Sequence, residues 1–127
     1  MQDSLLYEYA VVRYVPCVER EEFINIGLIM MCKRRHWIRI RCEINPERLQ
    51  SLRSPHSSEH ITQQLQLFSG VAEGKKSSGP MATLEVEERF RWLTAVKSAS
   101  LQTSRPHPGL TADLDAEFDR LFATLVL

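Results

Sequence analysis

The sequence predicts an α+β domain in which one antiparallel sheet of three to four strands carries helices packed on one face. Three observations predict it. Runs rich in aromatic and β-branched residues fill the first third of the chain, apolar residues recur at helical spacing after Pro46, and an amphipathic stripe ends the sequence. With 127 residues, 43% apolar and 25% charged, the chain suits a single domain over 1–127 with one modest core. Its strands fall within about 5–42, a helical region within about 46–97, and an extended segment and helix within 99–127.

Leu6 to Val15 is aromatic and β-branched and then meets Pro16, which cannot donate to a ladder, so a first strand ends there. Phe23 to Cys32 is nearly unbroken apolar sequence, as in a strand covered on both faces or nearly so. Hairpin pairing of the two sets Arg13 opposite Asn25, Val11 opposite Gly27 and Tyr9 opposite Ile29. After a charged turn, His36 to Cys42 alternates Ile with Arg, giving an edge-like third strand whose buried face depends on the turn at Lys33 to His36. Asn45 caps a short helix from Pro46 to about Leu52, and Ser54-Pro55 breaks the chain. Ile61, Leu65 and Phe68 mark a second helix starting at Ser57 or Ser58 and fading at Gly70 or Gly74. Gly74 to Pro80 reads as a flexible polar loop and a protease site. Val86, Phe90 and Leu93 define a third helix from near Thr83, and Ala99 to Thr103 reads as an extended segment beside the sheet. Arg105 to Gly109 is a turn or loop, and Thr111 caps a last helix striped by Leu114, Phe118, Leu121, Phe122 and Leu125.

Sixteen Lys and Arg balance sixteen Asp and Glu, so no global field draws the chain to nucleic acid or to an anionic membrane. The longest apolar run, Ile26 to Cys32, is far short of the ~20 residues that span a bilayer. Met1-Gln2-Asp3-Ser4 lacks the basic start of a secretory signal, and Cys17, Cys32 and Cys42 leave an odd thiol that fits a reducing compartment. A cytoplasmic location is the expectation.

Arg13, Glu22, Asn25 and Gly27 form a cluster with two readings. As a site, the planar fork of Arg13 with Asn25 and Glu22 holds a carboxylate or phosphate; as structure, Arg13 is an internally satisfied pair and Gly27 makes room for a ring or a bulge. The basic run of Lys33, Arg34, Arg35, His36, Arg39 and Arg41, with Trp37 two residues before Arg39, resembles a surface for single-stranded nucleic acid. Its competing reading is an edge strand guarded by charge, with Glu43 and Glu47 nearby. His107, held between two prolines, is a candidate loop contact.

Other motifs fail on their own chemistry. His56-Ser57-Ser58-Glu59-His60 has the inverted zinc-peptidase spacing, but Pro55 and the serines place the helix start at or after His56, so both histidines read as solvated helix-entry residues. The acidic run from Asp113 has Phe118 where a calcium loop needs glycine, and Gly74 to Gly79 is followed by Pro80 where a phosphate loop needs lysine. Cys17 has Arg20 nearby but no histidine close in sequence. No cofactor or metal is expected.

Tyr9 to Pro16, Glu22 to Leu28, Trp92 to Ala95 and Gly109 to Thr111 together resemble the bacterial family called domain of unknown function 3037 over almost the whole chain. The most specific element is Glu-Phe-x-Asn-x-Gly at Glu22 to Gly27; the residue before it, often glycine in the family, is Glu21 here. The resemblance implies a companion of HipA-type kinase-like proteins, in the manner of toxin and antitoxin pairs, and matches Arg13, Glu22 and Asn25 to the family motif without giving their roles. The expected function is therefore a cytoplasmic binding or regulatory module with a protein partner. The alternatives are a small enzyme with a polar site at Arg13, Glu22 and Asn25, and a nucleic-acid binder using the basic strand.

Overall fold

In the computed structural model, residues 4–52, 58–95 and 100–127 are described. The order is β1 (Leu5–Tyr14), β2 (Ile24–Cys32), β3 (Trp37–Cys42), α1 (Pro46–Ser51), α2 (Ser58–Glu73), α3 (Val86–Leu93), β4 (Leu101–Thr103), β5 (His107–Thr111) and α4 (Leu114–Leu125). The sheet is antiparallel and runs β3-β2-β1-β4, with β5 also paired to β1. The expected α+β domain is present, with five strands. Met1 to Asp3, the Ser54-Pro55 break, His56 and Ser57 of the zinc-like motif, and Ala99 lie outside the described residues.

Helices cover both faces of the sheet rather than one. Ala10, Val12, Tyr14, Ile26, Ile29 and Met31 face α1, α2 and α3, joining Leu49, Ile61, Leu65 and Phe90 in one core. Leu5, Tyr7, Leu28, Met30 and Cys32 face the other way and bury Phe118, Leu121 and Phe122 of α4 in a second. The unbroken apolar run of β2 is the reason: with large side chains alternating to both sides, each face needs a cover. Burying an aromatic side chain of this kind stabilises by about 2 kcal/mol, so the stripe of α4 secures it on the second face.

A β-bulge sets the register. Arg13 lies opposite Asn25 as expected, but Val12, not Val11, faces Gly27, and Tyr9 faces Met30. Ile26 is the extra residue, and its carbonyl accepts from the Glu43 amide at 2.7 Å. One extra residue inverts the alternation, which is why Ile24 and Ile26 share a face with Ile29 and Met31.

The capped start of α1 is as expected, Asn45 accepting from the amides of Glu47 at 3.0 Å and Arg48 at 3.3 Å. Three local differences have identifiable causes. Two 3-10 turns, Lys76–Ser78 and Pro80–Thr83, occupy the expected flexible loop and delay α3 to Val86. His107–Thr111 is a strand, not a loop: it is an edge, where proline is tolerated because a missing N–H can face solvent. Asp113, not Thr111, caps α4 by accepting from the Ala116 amide at 3.1 Å, while Thr111 accepts from the Asp113 amide.

Candidate functional site

The residues singled out on the first hairpin meet at its bulged end, each with a different task. The Arg13 guanidinium lies 4.2 Å from the centre of the Phe23 ring. Asn25, opposite it on β2, donates through Nδ2 to the Leu125 carbonyl at 3.0 Å, while Arg48 of α1 donates to the Val126 carbonyl at 3.0 Å. Two side chains thus hold carbonyls at the C-terminal end of α4 that the helix itself leaves unpaired. Glu22 pairs with Arg20 at 2.6 Å on the surface. Arg13 Nε and Asn25 Oδ1, on cross-strand neighbours, are both buried without a hydrogen-bond partner.

Gly27 sits at the bulge where β2 and β3 close together. A Cβ there would meet Cys42 Sγ at 2.7 Å, the Arg41 carbonyl at 3.0 Å and Val12 Cβ at 3.2 Å. It makes room for a thiol, not an aromatic ring. Glu21 holds a left-handed turn with φ +56°, a conformation that disfavours a side chain.

The basic strand is spent on packing. Arg39 lies 4.3 Å from the centre of Phe118 and pairs with Asp115 at 3.1 Å and Asp119 at 3.2 Å. Arg41 lies 4.2 Å from the centre of Phe122, and Trp37 meets Phe118 edge-on. Lys33 and His36 approach Glu87 at 3.4 Å and Glu85 at 3.7 Å, leaving Arg34 and Arg35 as exposed turn residues. Ile38, Ile40 and Cys42 face the first core, so the alternation of β3 serves both covered faces. Stacked and ion-paired, these arginines hold α4 to the sheet.

His107 lies in β5 opposite Tyr9, their rings 5.3 Å apart. Four residues along β1, about 13 Å, separate Tyr9 from Arg13, so the structure does not bring His107 to the Arg13 cluster.

In the polar network on α4, the i, i+3 spacing of Glu117 and Arg120 marks their pair in the sequence, and what sequence reasoning missed is the part of Tyr7. The Tyr7 hydroxyl donates to Glu117 at 2.6 Å, and Arg120 Nε donates to the same carboxylate at 2.6 Å. Burial, then the bond to Glu117, push the Tyr7 hydroxyl up to about 12; Arg120, then Tyr7, hold the Glu117 carboxyl below its usual range. For Tyr7 the signal was Gly109, since a Cβ there would lie 2.4 Å from the Tyr7 ring. Burial also pushes the Cys42 thiol up to about 11 against a smaller opposing effect of Ser69.

Two grooves open on the side of α2. One, of about 330 Å³, lies between α2, α3 and β4, with Phe68, Val71, Leu93 and Leu101 inside and Leu67 and Trp92 at its margin. Leu67 is 67% exposed and Trp92 42%. The signal was available: both fall off the helical stripes set by Ile61, Leu65 and Phe68 and by Val86, Phe90 and Leu93, on faces that should be wet. The other, of about 660 Å³, lies between α2 and β3 and is floored by Ile40, Cys42, Ile44 and Leu65. Among the described residues no group of three or more His, Cys, Asp or Glu is placed to hold a metal, and no helix is long and apolar enough to cross a membrane.

No curated protein and no solved structure matches the chain. Residues 9–126 match the family model described as protein of unknown function (DUF3037). That match runs from within β1 to past the end of α4, and the chain belongs to the DUF3037 family.

Proposed function

We propose that this domain acts by binding a protein partner in the bacterial cytoplasm, with a HipA-type kinase-like protein as the partner that the family resemblance names. The observation that carries the binding reading is the groove between α2, α3 and β4. A domain of this size exposes single apolar residues routinely, but two of its largest exposed apolar side chains flank an apolar-floored cleft. Leu67 and Trp92 have the size and chemistry of anchor residues, which dominate interface energies when buried centrally. The alternative of a small enzyme loses support because Glu22, Asn25 and His107 each engage a different neighbour, Arg20, the Leu125 carbonyl and Tyr9. The nucleic-acid alternative loses support because Arg39 is stacked on Phe118 and paired with Asp115 and Asp119, and Arg41 is stacked on Phe122.

The test is co-expression with a HipA-type kinase-like protein from the same genome, followed by gel filtration and calorimetry. A stoichiometric complex, weakened at least about 30-fold by the pair Leu67→Asp and Trp92→Ala, is the expected result, since hot-spot truncation costs 2 kcal/mol or more. No complex at micromolar concentration, or one indifferent to both substitutions, would overturn the proposal.

A further inference from the structure

The second face of the sheet turns polar where α4 ends. Ala10, Val12 and Tyr14 of β1 face the first core and Leu5 and Tyr7 the second, so alternation sets Arg13 on the side of α4. Its cross-strand neighbours are Gln102 of β4 and Asn25 of β2, and the three form one polar row across the sheet. Asn25 takes the Leu125 carbonyl and Arg48 the Val126 carbonyl, so the end of α4 is satisfied without Arg13. Among the described residues Arg13 has no hydrogen bond or ion pair; its guanidinium rests on the Phe23 ring at 4.2 Å, and Phe23 is 44% exposed. Of the acidic residues in the loop between β1 and β2, Glu19, Glu21 and Glu22, none pairs with Arg13, and Glu22 is held by Arg20 at 2.6 Å. A guanidinium stacked through its face keeps its edge of donors for an anion. Arg13 Nε and Asn25 Oδ1, a donor and an acceptor on facing residues, are both buried and unpartnered, an unfavourable state that a ligand carrying an acceptor beside a donor would relieve.

We propose that Arg13, Asn25 and Phe23 bind a carboxylate whose neighbouring carbon carries an N–H, the chemistry shared by a free amino acid and the last residue of a peptide chain. The carboxylate oxygens accept from the Arg13 fork, the N–H donates to Asn25 Oδ1, and an apolar side chain covers the exposed part of the Phe23 ring. One unpaired guanidinium matches the single charge of a carboxylate. A phosphate dianion would bring a second charge to a loop that carries three Glu and one Arg. Arg13, Asn25 and Phe23 lie outside the groove between α2, α3 and β4, so the two surfaces stand or fall separately.

The test is titration of the nitrogen-15-labelled full chain with N-acetyl-L-phenylalanine and with L-phenylalanine, following the Arg13 Nε–Hε signal and the Asn25 side-chain amide. Shifts at both groups with a Kd of about 1 mM or tighter are expected for at least one of them, and the tighter of the two assigns the source, a chain end or a free amino acid. Replacing the carboxylate by its amide should weaken binding at least about tenfold, and 3-phenylpropionate, which lacks the N–H, should bind about fivefold more weakly. These comparisons use the unaltered chain and hold even where a variant fails to fold. Arg13→Gln should abolish the binding, and Arg13→Lys, which keeps the charge without the fork, should weaken it at least about fivefold. The pair Leu67→Asp and Trp92→Ala should leave it unchanged. No shift at Arg13 and Asn25 with either probe at 10-fold the expected Kd, equal binding of carboxylate and amide, binding that survives Arg13→Gln, or tighter binding of inorganic phosphate overturns the proposal. Loss of binding in the Leu67 and Trp92 double variant would place the probe in the groove and equally overturn it.

Discussion

Placing a methyl group at Gly27 should be felt by three neighbours at once. In Gly27→Ala the new Cβ meets Cys42 Sγ at 2.7 Å, the Arg41 carbonyl at 3.0 Å and Val12 Cβ at 3.2 Å. The carbonyl belongs to the β2–β3 ladder and cannot swing aside, and Cys42 is packed against the first core. Overpacking of this kind costs about 1–3 kcal/mol, and three simultaneous contacts place Gly27→Ala at about 2–3 kcal/mol. Cys42→Ala alone removes one partly buried sulfur and should cost about 1 kcal/mol. Together, each change fills or vacates the space of the other, so the double variant should recover about 1–2 kcal/mol relative to the sum. Urea unfolding followed by Trp fluorescence measures all four corners, and each kcal/mol corresponds to roughly 3–5 °C in Tm for a chain of this length. Strict additivity, or a Gly27→Ala variant as stable as the parent, would refute the reasoning that the bulge holds β2 and β3 too close for a side chain.

Further expectations concern the turns, the network on α4 and the thiols. Glu21 and His36 hold φ +56° and +50°, so Glu21→Gly and His36→Gly should each stabilise by about 0.5–1 kcal/mol in the same urea assay. Tyr7→Phe should cost about 1.5 kcal/mol near neutral pH through its bond to Glu117. Because the hydroxyl of Tyr7 is raised from 10.0 to about 12, its contribution is complete below pH 10 and fades as pH rises from there towards 12. The stability difference between parent and Tyr7→Phe should therefore shrink over that window; a constant difference would contradict the assigned bond. Native protein should react with iodoacetamide at exposed Cys17, while buried Cys32 and the raised thiol of Cys42 react only in urea. Arg39→Ala should lower stability by about 1–2 kcal/mol through lost stacking on Phe118 and lost pairing with Asp115 and Asp119.

Much of the architecture was legible because periodicity reports burial. The aromatic and β-branched run of β1, the capped start of α1 and the stripe of α4 all announce themselves in local sequence. The bulge at Ile26 did not, because a bulge depends on what the neighbouring strand must accommodate, here Cys42 against Gly27. β5 was hidden by the two prolines flanking His107, which argue for a loop unless the strand is known to be an edge. The arginines of β3 looked like a basic patch because their partners, Phe118, Phe122, Asp115 and Asp119, lie more than seventy residues away in sequence. The pairing of Arg13 with Asn25 was readable as register, yet the task of Asn25 was not, since the Leu125 carbonyl it holds comes from the far end of the chain. Leu67 and Trp92 were visible as apolar residues on wet helical faces and became a candidate surface only when α2, α3 and β4 met.

Hydrogen–deuterium exchange on the chain alone and in complex with the proposed kinase-like partner tests the binding reading most directly. Protection confined to the α2 and α3 amides around Leu67 and Trp92 and to β4, with α4 unchanged, is the result expected. A complex that forms while those amides exchange as in the isolated chain would contradict it.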